Sequence, residues 1–135
     1  MIRRLEQNDY ELLAVSLLAD EYHSETPPEF FYDPDAVCNV YEDADGPVLF
    51  LRGQAISIGS DEKKVIRLDI QYLNNNDFRR NMKTMLEGFP LLEKKARESG
   101  FSGFVFHSTS PLLRKFCIKR LGFEDGPCDL LYKVV

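Results

Sequence analysis

The chain has 135 residues, a size for one domain able to bury a core without metal or disulfide staples. Its 44% apolar and 29% charged residues exclude disorder as the main state, and no apolar run approaches the roughly 18 residues of a membrane span. A net charge of −5 argues against a dedicated nucleic-acid binder, and three scattered cysteines (Cys38, Cys117, Cys128) fit neither a zinc spacing nor a disulfide framework.

The opening Met1-Ile2-Arg3-Arg4 runs into a polar segment, so no signal peptide and a cytoplasmic location are expected. Residues 2–6 predict a short strand. Asn8, with Glu11 three residues on, reads as a capping box. Tyr10, Leu13, Ala14, Leu17 and Leu18 recur at helical spacing and predict a helix to about Tyr22. Residues 23–33 carry Pro27-Pro28 and the aromatic patch Phe30-Phe31-Tyr32, and predict a loop. Asp33-Pro34 has the form of an N-cap followed by a first-turn proline, and predicts a short helix to about Tyr41.

A turn cluster at residues 43–47 separates this helix from two predicted strands, 48–52 and 55–58, and residues 59–63 form the next turn. Residues 65–73 alternate: Ile66, Leu68, Ile70 and Tyr72 face one way, Arg67, Asp69, Gln71 and Leu73 the other. Three asparagines, residues 74–76, end that strand. Asp77 caps a long helix to about Ser99, with an apolar stripe of Met82, Met85, Leu86, Phe89, Leu92 and Ala96. Pro90 inside it predicts a kink or break near Gly88, and Gly100 ends it. Residues 101–107 predict a strand, Ser110-Pro111 starts a last helix stopped by Gly122, and two short strands follow. The order predicts one mixed α/β (α+β) domain covering residues 1–135.

Charge is unevenly spread. Residues 1–62 hold fourteen acids against three basic residues, whereas residues 63–120 hold thirteen basic residues against five acids. An acidic half able to receive a cation and a basic half able to receive a polyanion fit this split, as does ordinary solvated surface.

The element order is similar to that of the GNAT superfamily of acyl-CoA N-acetyltransferases, over nearly the whole chain. Lys94-Lys95-Ala96-Arg97-Glu98-Ser99-Gly100-Phe101 resembles the family's third helix running into strand five, and residues 110–123 (SPLLRKFCIKRLGF) resemble its last helix with the terminal Gly-Phe. With RLDIQYL upstream, the pattern most resembles short, divergent members from tailed phages and prophages. The resemblance implies a mostly antiparallel sheet splayed between strands four and five, about four flanking helices, and acetyl-CoA in the splay. Tyr72, Leu73, Arg79, Arg80, Asn81, Lys83 and Thr84 then fall where the cofactor binds.

Departures leave two readings open. The family's phosphate signature keeps small residues where the backbone meets the diphosphate. Here Lys83 and Met85 fill those positions, so either Arg79, Arg80 and Lys83 supply side-chain charge instead, or the site is dead. The family often places a tyrosine general acid in the last helix, where this chain has Ile118.

Amine acetylation needs a base, an oxyanion donor and a held thioester. Asp69 and His107 are the catalytic candidates, against the alternatives of a surface carboxylate and a hydrogen-bonded strand-end histidine. His23, Glu25 and Glu29 lie in the loop that shapes the family's acceptor site, and their charge suits a cationic small-molecule or peptide amine. No metal site is expected, and no nucleic-acid or membrane partner. A homodimer is implied only by resemblance. The competing function is a non-catalytic GNAT-fold binding or assembly protein of phage origin.

Overall fold

The computed structural model describes residues 1–58, 63–74 and 77–135. Residues 59–62, most of a predicted turn, and Asn75 and Asn76, predicted to end a strand, lie outside them. Seven strands are present among the described residues: β1 (Ile2–Arg4), β2 (Val37–Asp43), β3 (Gly46–Ile58), β4 (Lys63–Tyr72), β5 (Gly103–His107), β6 (Glu124–Asp125) and β7 (Leu130–Val134). They form one sheet in the order β1-β2-β3-β4-β5-β7-β6, antiparallel throughout except for the parallel pair β4–β5. Three α-helices, α1 (Tyr10–Ala19), α2 (Phe78–Glu98) and α3 (Pro111–Arg120), flank it, with short 3-10 turns at Gln7–Asp9 and Pro28–Tyr32. The expected count of about four helices falls to three because one of them is a strand.

That strand is β2. The Asp33-Pro34 signal does not start a helix. It makes a tight turn, in which Asp33 Oδ1 accepts from the amide of Asp35 and its carbonyl from that of Ala36. Beyond the turn, Val37, Val40 and Tyr41 are β-formers in a strand that pairs with β3 along its length and with β1 over residues 39–41. Strands 48–52 and 55–58 are one continuous β3, since Gly53 keeps its place in both ladders, opposite Val37 and Leu68.

α1 starts one residue later and stops earlier than the sequence signals imply. Asp9, not Asn8, turns the chain, accepting from the amide of Glu6 at 2.8 Å. The helix ends at Ala19 because Asp20 takes extended backbone angles. α2 runs unbroken past Pro90. Met82, Met85 and Phe89 before the proline and Ala96 after it are all buried, so one apolar face holds both halves to the sheet, while Pro90 itself is exposed. Gly88 has a different use: an added Cβ would come within 2.3 Å of the ring edge of the buried Tyr41.

The sheet carries two cores. On one face α2 and α3 cover Leu49, Leu51, Leu68, Ile70, Phe104, Phe106 and their neighbours. Phe89 of α2 lies 5.3 Å from Phe104 and 5.6 Å from Phe123 between ring centroids, favourable aromatic distances. On the other face Leu13 and Leu17 of α1 and Phe31 of the 28–32 turn cover Cys38, Val40 and Phe50. No helix among the described residues is long and apolar enough to cross a membrane.

Candidate active site

β4 and β5 share hydrogen bonds only from Val65 to Leu68 and from Gly103 to Phe106. Beyond Leu68, β4 continues four residues alongside β3, whereas β5 ends at His107 and stays with β7. The amide of Ser108 donates to the carbonyl of Asp129, drawing the chain toward β7 as α3 begins. The two strands therefore part, and a wedge opens through the sheet.

A cavity of about 650 Å³ occupies this wedge. Its walls come from the ends of elements on both faces: His23 after α1, Ile70 and Tyr72 of β4, Asn81 and Met82 of α2, and Phe106 and His107 of β5. Residues 108–110, leading into α3, and Cys128 and Asp129 close it. Met85 is buried in the core and Lys83 is exposed, so neither bulky residue plugs the gap; Met82, beside Asn81, reaches the wall.

A second cavity, also about 650 Å³, adjoins it on the α1 side of the sheet. Glu25, Glu29, Asp33 and Asp69 give it an acidic lining, with Arg67 and the ring of Phe30 beside them. The Tyr10 hydroxyl donates to Glu29, which holds that carboxyl below its usual range. His23 is the one described residue that lines both cavities.

Arg52 frames the second cavity, and nothing in the sequence marks it. Its guanidinium is 1% exposed and donates to the Phe30 carbonyl (2.8 Å), to Asp33 (3.0 Å) and to Gln54 (3.1 Å). It stacks over the Phe30 ring, 4.0 Å from the centroid. Asp69 Oδ2 is 3.5 Å from Arg52 Nη1 and 3.7 Å from Arg67 Nε, yet it receives no hydrogen bond. The Tyr72 hydroxyl is likewise buried without a partner. Burial, with Cys117 nearby, pushes this phenol well above its ordinary pKa, so it stays protonated. These are the two buried side-chain polar atoms without a hydrogen bond among the described residues, and each belongs to a residue on a cavity wall.

The residues expected from the sequence divide as follows. His23, Glu25, Glu29 and Asp69 meet at the acidic cavity; Tyr72, Asn81 and His107 meet at the wedge. Leu73 packs into the α1-side core and Thr84 is buried; neither lines a cavity. Arg79 and Lys83 are exposed on the first turns of α2, with no ion-pair partner among the described residues. Arg80 instead binds Asp43 through two bonds of 2.6 and 2.7 Å, which lowers the Asp43 carboxyl to about 2. Asp77 caps α2 by accepting from the Arg80 amide. Ile118 is 38% exposed and lines neither cavity.

Cys117 is buried, and its thiol is pushed up to about 12, as is that of Cys38. Arg114 is tied to Ser108, Asp129 and Asp125, leaving Lys115, Lys119 and Arg120 as solvated surface. Among the described residues no group of three or more His, Cys, Asp or Glu side chains could hold a metal ion.

No protein-family profile matches the chain, and no curated protein does. Solved structures do. The aminoglycoside 6'-N-acetyltransferase of Enterococcus faecium superposes with a TM-score of 0.67 at 14% identity, over 99% of this chain and 96% of that one. The GNAT domain of S. lividans PAT gives 0.67 at 15% identity, over 99% and 89%. An aminoglycoside 6'-N-acetyltransferase complexed with coenzyme A gives 0.63 at 16% identity, over 99% and 96%. The fold is that of the GNAT acetyltransferases, as the sequence resemblance implies.

Proposed function

We propose that the chain is an N-acetyltransferase that passes an acetyl group from acetyl-CoA directly to a cationic amine. The wedge between β4 and β5 receives the pantetheine arm and thioester, and the acidic cavity receives the amine. The observation that carries this reading is the pair of buried polar atoms without a hydrogen bond, Tyr72 Oη and Asp69 Oδ2 (the latter only in longer ion pairs with Arg52 and Arg67), on residues that line the two adjoining cavities. Buried polar groups without partners cost free energy, so a ligand that supplies partners is favoured there. A neighbour in the same fold is a complex with coenzyme A, and others are named as acting on amines.

In the reaction the amine nitrogen attacks the thioester carbonyl carbon, the C–S bond breaks, and the nitrogen loses a proton. The carboxylates of the acidic cavity hold and orient the ammonium before deprotonation, Asp69 foremost, because it stands at the wedge end of β4. The Tyr72 hydroxyl donates toward the thioester or its sulfur. Arg79 and Lys83 supply side-chain charge to the diphosphate at the start of α2, where Asp77 already occupies one backbone amide. Asn81 shapes the wall between them, and His107 stands at the mouth of the wedge.

The test is turnover. The full chain is incubated with acetyl-CoA and a panel of primary amines, from monoamines to polyamines and aminoglycosides, and free coenzyme A thiol is followed. Release that depends on a cationic amine, with the acetylated product identified by mass, supports the reading. No release with any amine contradicts it.

A further inference from the structure

His23 stands where the two cavities meet, and its ring is held in one orientation from behind. Gln71 on β4 is fully buried. Its Nε2 donates to the carbonyl of Tyr72 at 2.8 Å and to that of Ser16 at 3.3 Å. Both carbonyls can only accept, so the amide has one satisfactory orientation, and Gln71 Oε1 must face His23 Nδ1, 2.6 Å away. Asp20 Oδ2 lies 3.4 Å from the same nitrogen. The other Asp20 oxygen accepts from the Tyr22 amide, and Asp20 is 5% exposed. Two acceptors thus converge on Nδ1. In the neutral ring Nδ1 must carry the hydrogen, which leaves Nε2 as the free lone pair. The backbone is fixed as well: His23 donates its amide to Asp20 and accepts from Thr26.

We propose that His23 is the general base of the transfer, taking the amine proton at Nε2 while Gln71 and Asp20 hold Nδ1–H. The inference rests on the acetyltransferase reading above. The held ammonium first releases one proton to water; as the N–C bond then forms and the C–S bond breaks, the second proton passes from the amine nitrogen to Nε2, and coenzyme A leaves as the thiolate. Asp69, which lines only the acidic cavity, keeps the role of holding the cation, and His107 lines only the wedge. A nucleophile meeting a base that a third group orients is a recurring catalytic arrangement. The charged and titratable groups that share the two cavities with His23 are Glu25, Glu29, Asp33, Arg67 and Asp69 on the acidic side, and Asp20, Glu21, Tyr22, Tyr72, His107, Cys128 and Asp129 in the wedge.

Two measurements test this on the full chain. The first needs no substrate: nitrogen-15 NMR of the histidine rings above their titration. A pyrrole-type Nδ1 and pyridine-type Nε2 at His23, with the preference lost in Gln71→Met, support the proposal; a neutral ring protonated at Nε2 overturns it. The second follows kcat against pH at saturating acetyl-CoA. His23→Ala is expected to lower kcat about 100-fold, to lose the acid limb of the profile, to recover with added imidazole, and to keep its acetyl-CoA-induced thermal stabilisation. A variant that keeps both the rate and the acid limb overturns the assignment. Wild-type protein that transfers to no amine overturns the acetyltransferase reading, and the proton transfer with it.

Discussion

Tyr72 and Asp69 show how single residues mark this site. Each leaves a buried polar atom without a hydrogen bond, a cost of about 1–3 kcal/mol when nothing fills the cavity. Tyr72→Phe is therefore expected to leave the free protein as stable as before or slightly more so, while weakening acetyl-CoA; thermal melts with and without ligand read both effects. Cysteine chemistry gives a second check. Cys38 and Cys117 are buried with thiols raised to about 12, whereas Cys128 is exposed at the rim of the wedge. One thiol should react with a maleimide in the native state, and acetyl-CoA should slow it; labelling of all three without denaturant would contradict the burial. Asp9 supplies a pH signature. Its bonds with Arg3, at 2.8 and 2.9 Å, hold the carboxyl below its ordinary pKa. A depressed carboxylate stabilises the fold above its unfolded pKa, and that contribution fades as pH falls through the folded one. Denaturation midpoints should drop below about pH 4, and Asp9→Asn should flatten the drop.

At the level of elements, α2 sets the tightest constraint. Gly88 lets the helix lie against Tyr41 of β2, and a methyl group there clashes with the ring edge at 2.3 Å. Gly88→Ala should cost about 1–3 kcal/mol despite its gain in helix propensity, read as a lowered denaturation midpoint. Local sequence signals served α2 and β4 well, because their periodicities match the faces they bury, and α1 less well, since Leu18 of its expected stripe is exposed. They failed at β2, where Asp33-Pro34 imitates a helix start. Pairing on both sides decides that segment, and pairing is invisible to a local window. The missed β2 and the splitting of β3 offset each other, so the expected splay between the fourth and fifth strands still falls between β4 and β5. The candidate site was half legible. Asp69, His107 and the acidic loop were visible as residue types in a resembling framework. Arg52, Gln71 and Asp20 were not, because their importance lies in which carbonyls and rings they meet across the sheet.

For the whole molecule, the charge split seen in the sequence has a structural counterpart. Four acids from the N-terminal half and from β4 gather at one cavity, while cationic side chains stand at the start of α2 beyond the wedge. A cationic acceptor and a polyanionic donor would thus approach from different sides and meet near His23. On the acetyltransferase reading the wedge admits acetyl-CoA. Calorimetric titration of the full chain with acetyl-CoA tests it most directly, alongside Arg79→Ala/Lys83→Ala. Saturable one-to-one binding is expected, weakened at least tenfold in the double variant, the equivalent of about 1.4 kcal/mol. No saturable heat from the wild-type chain at millimolar acetyl-CoA would contradict it.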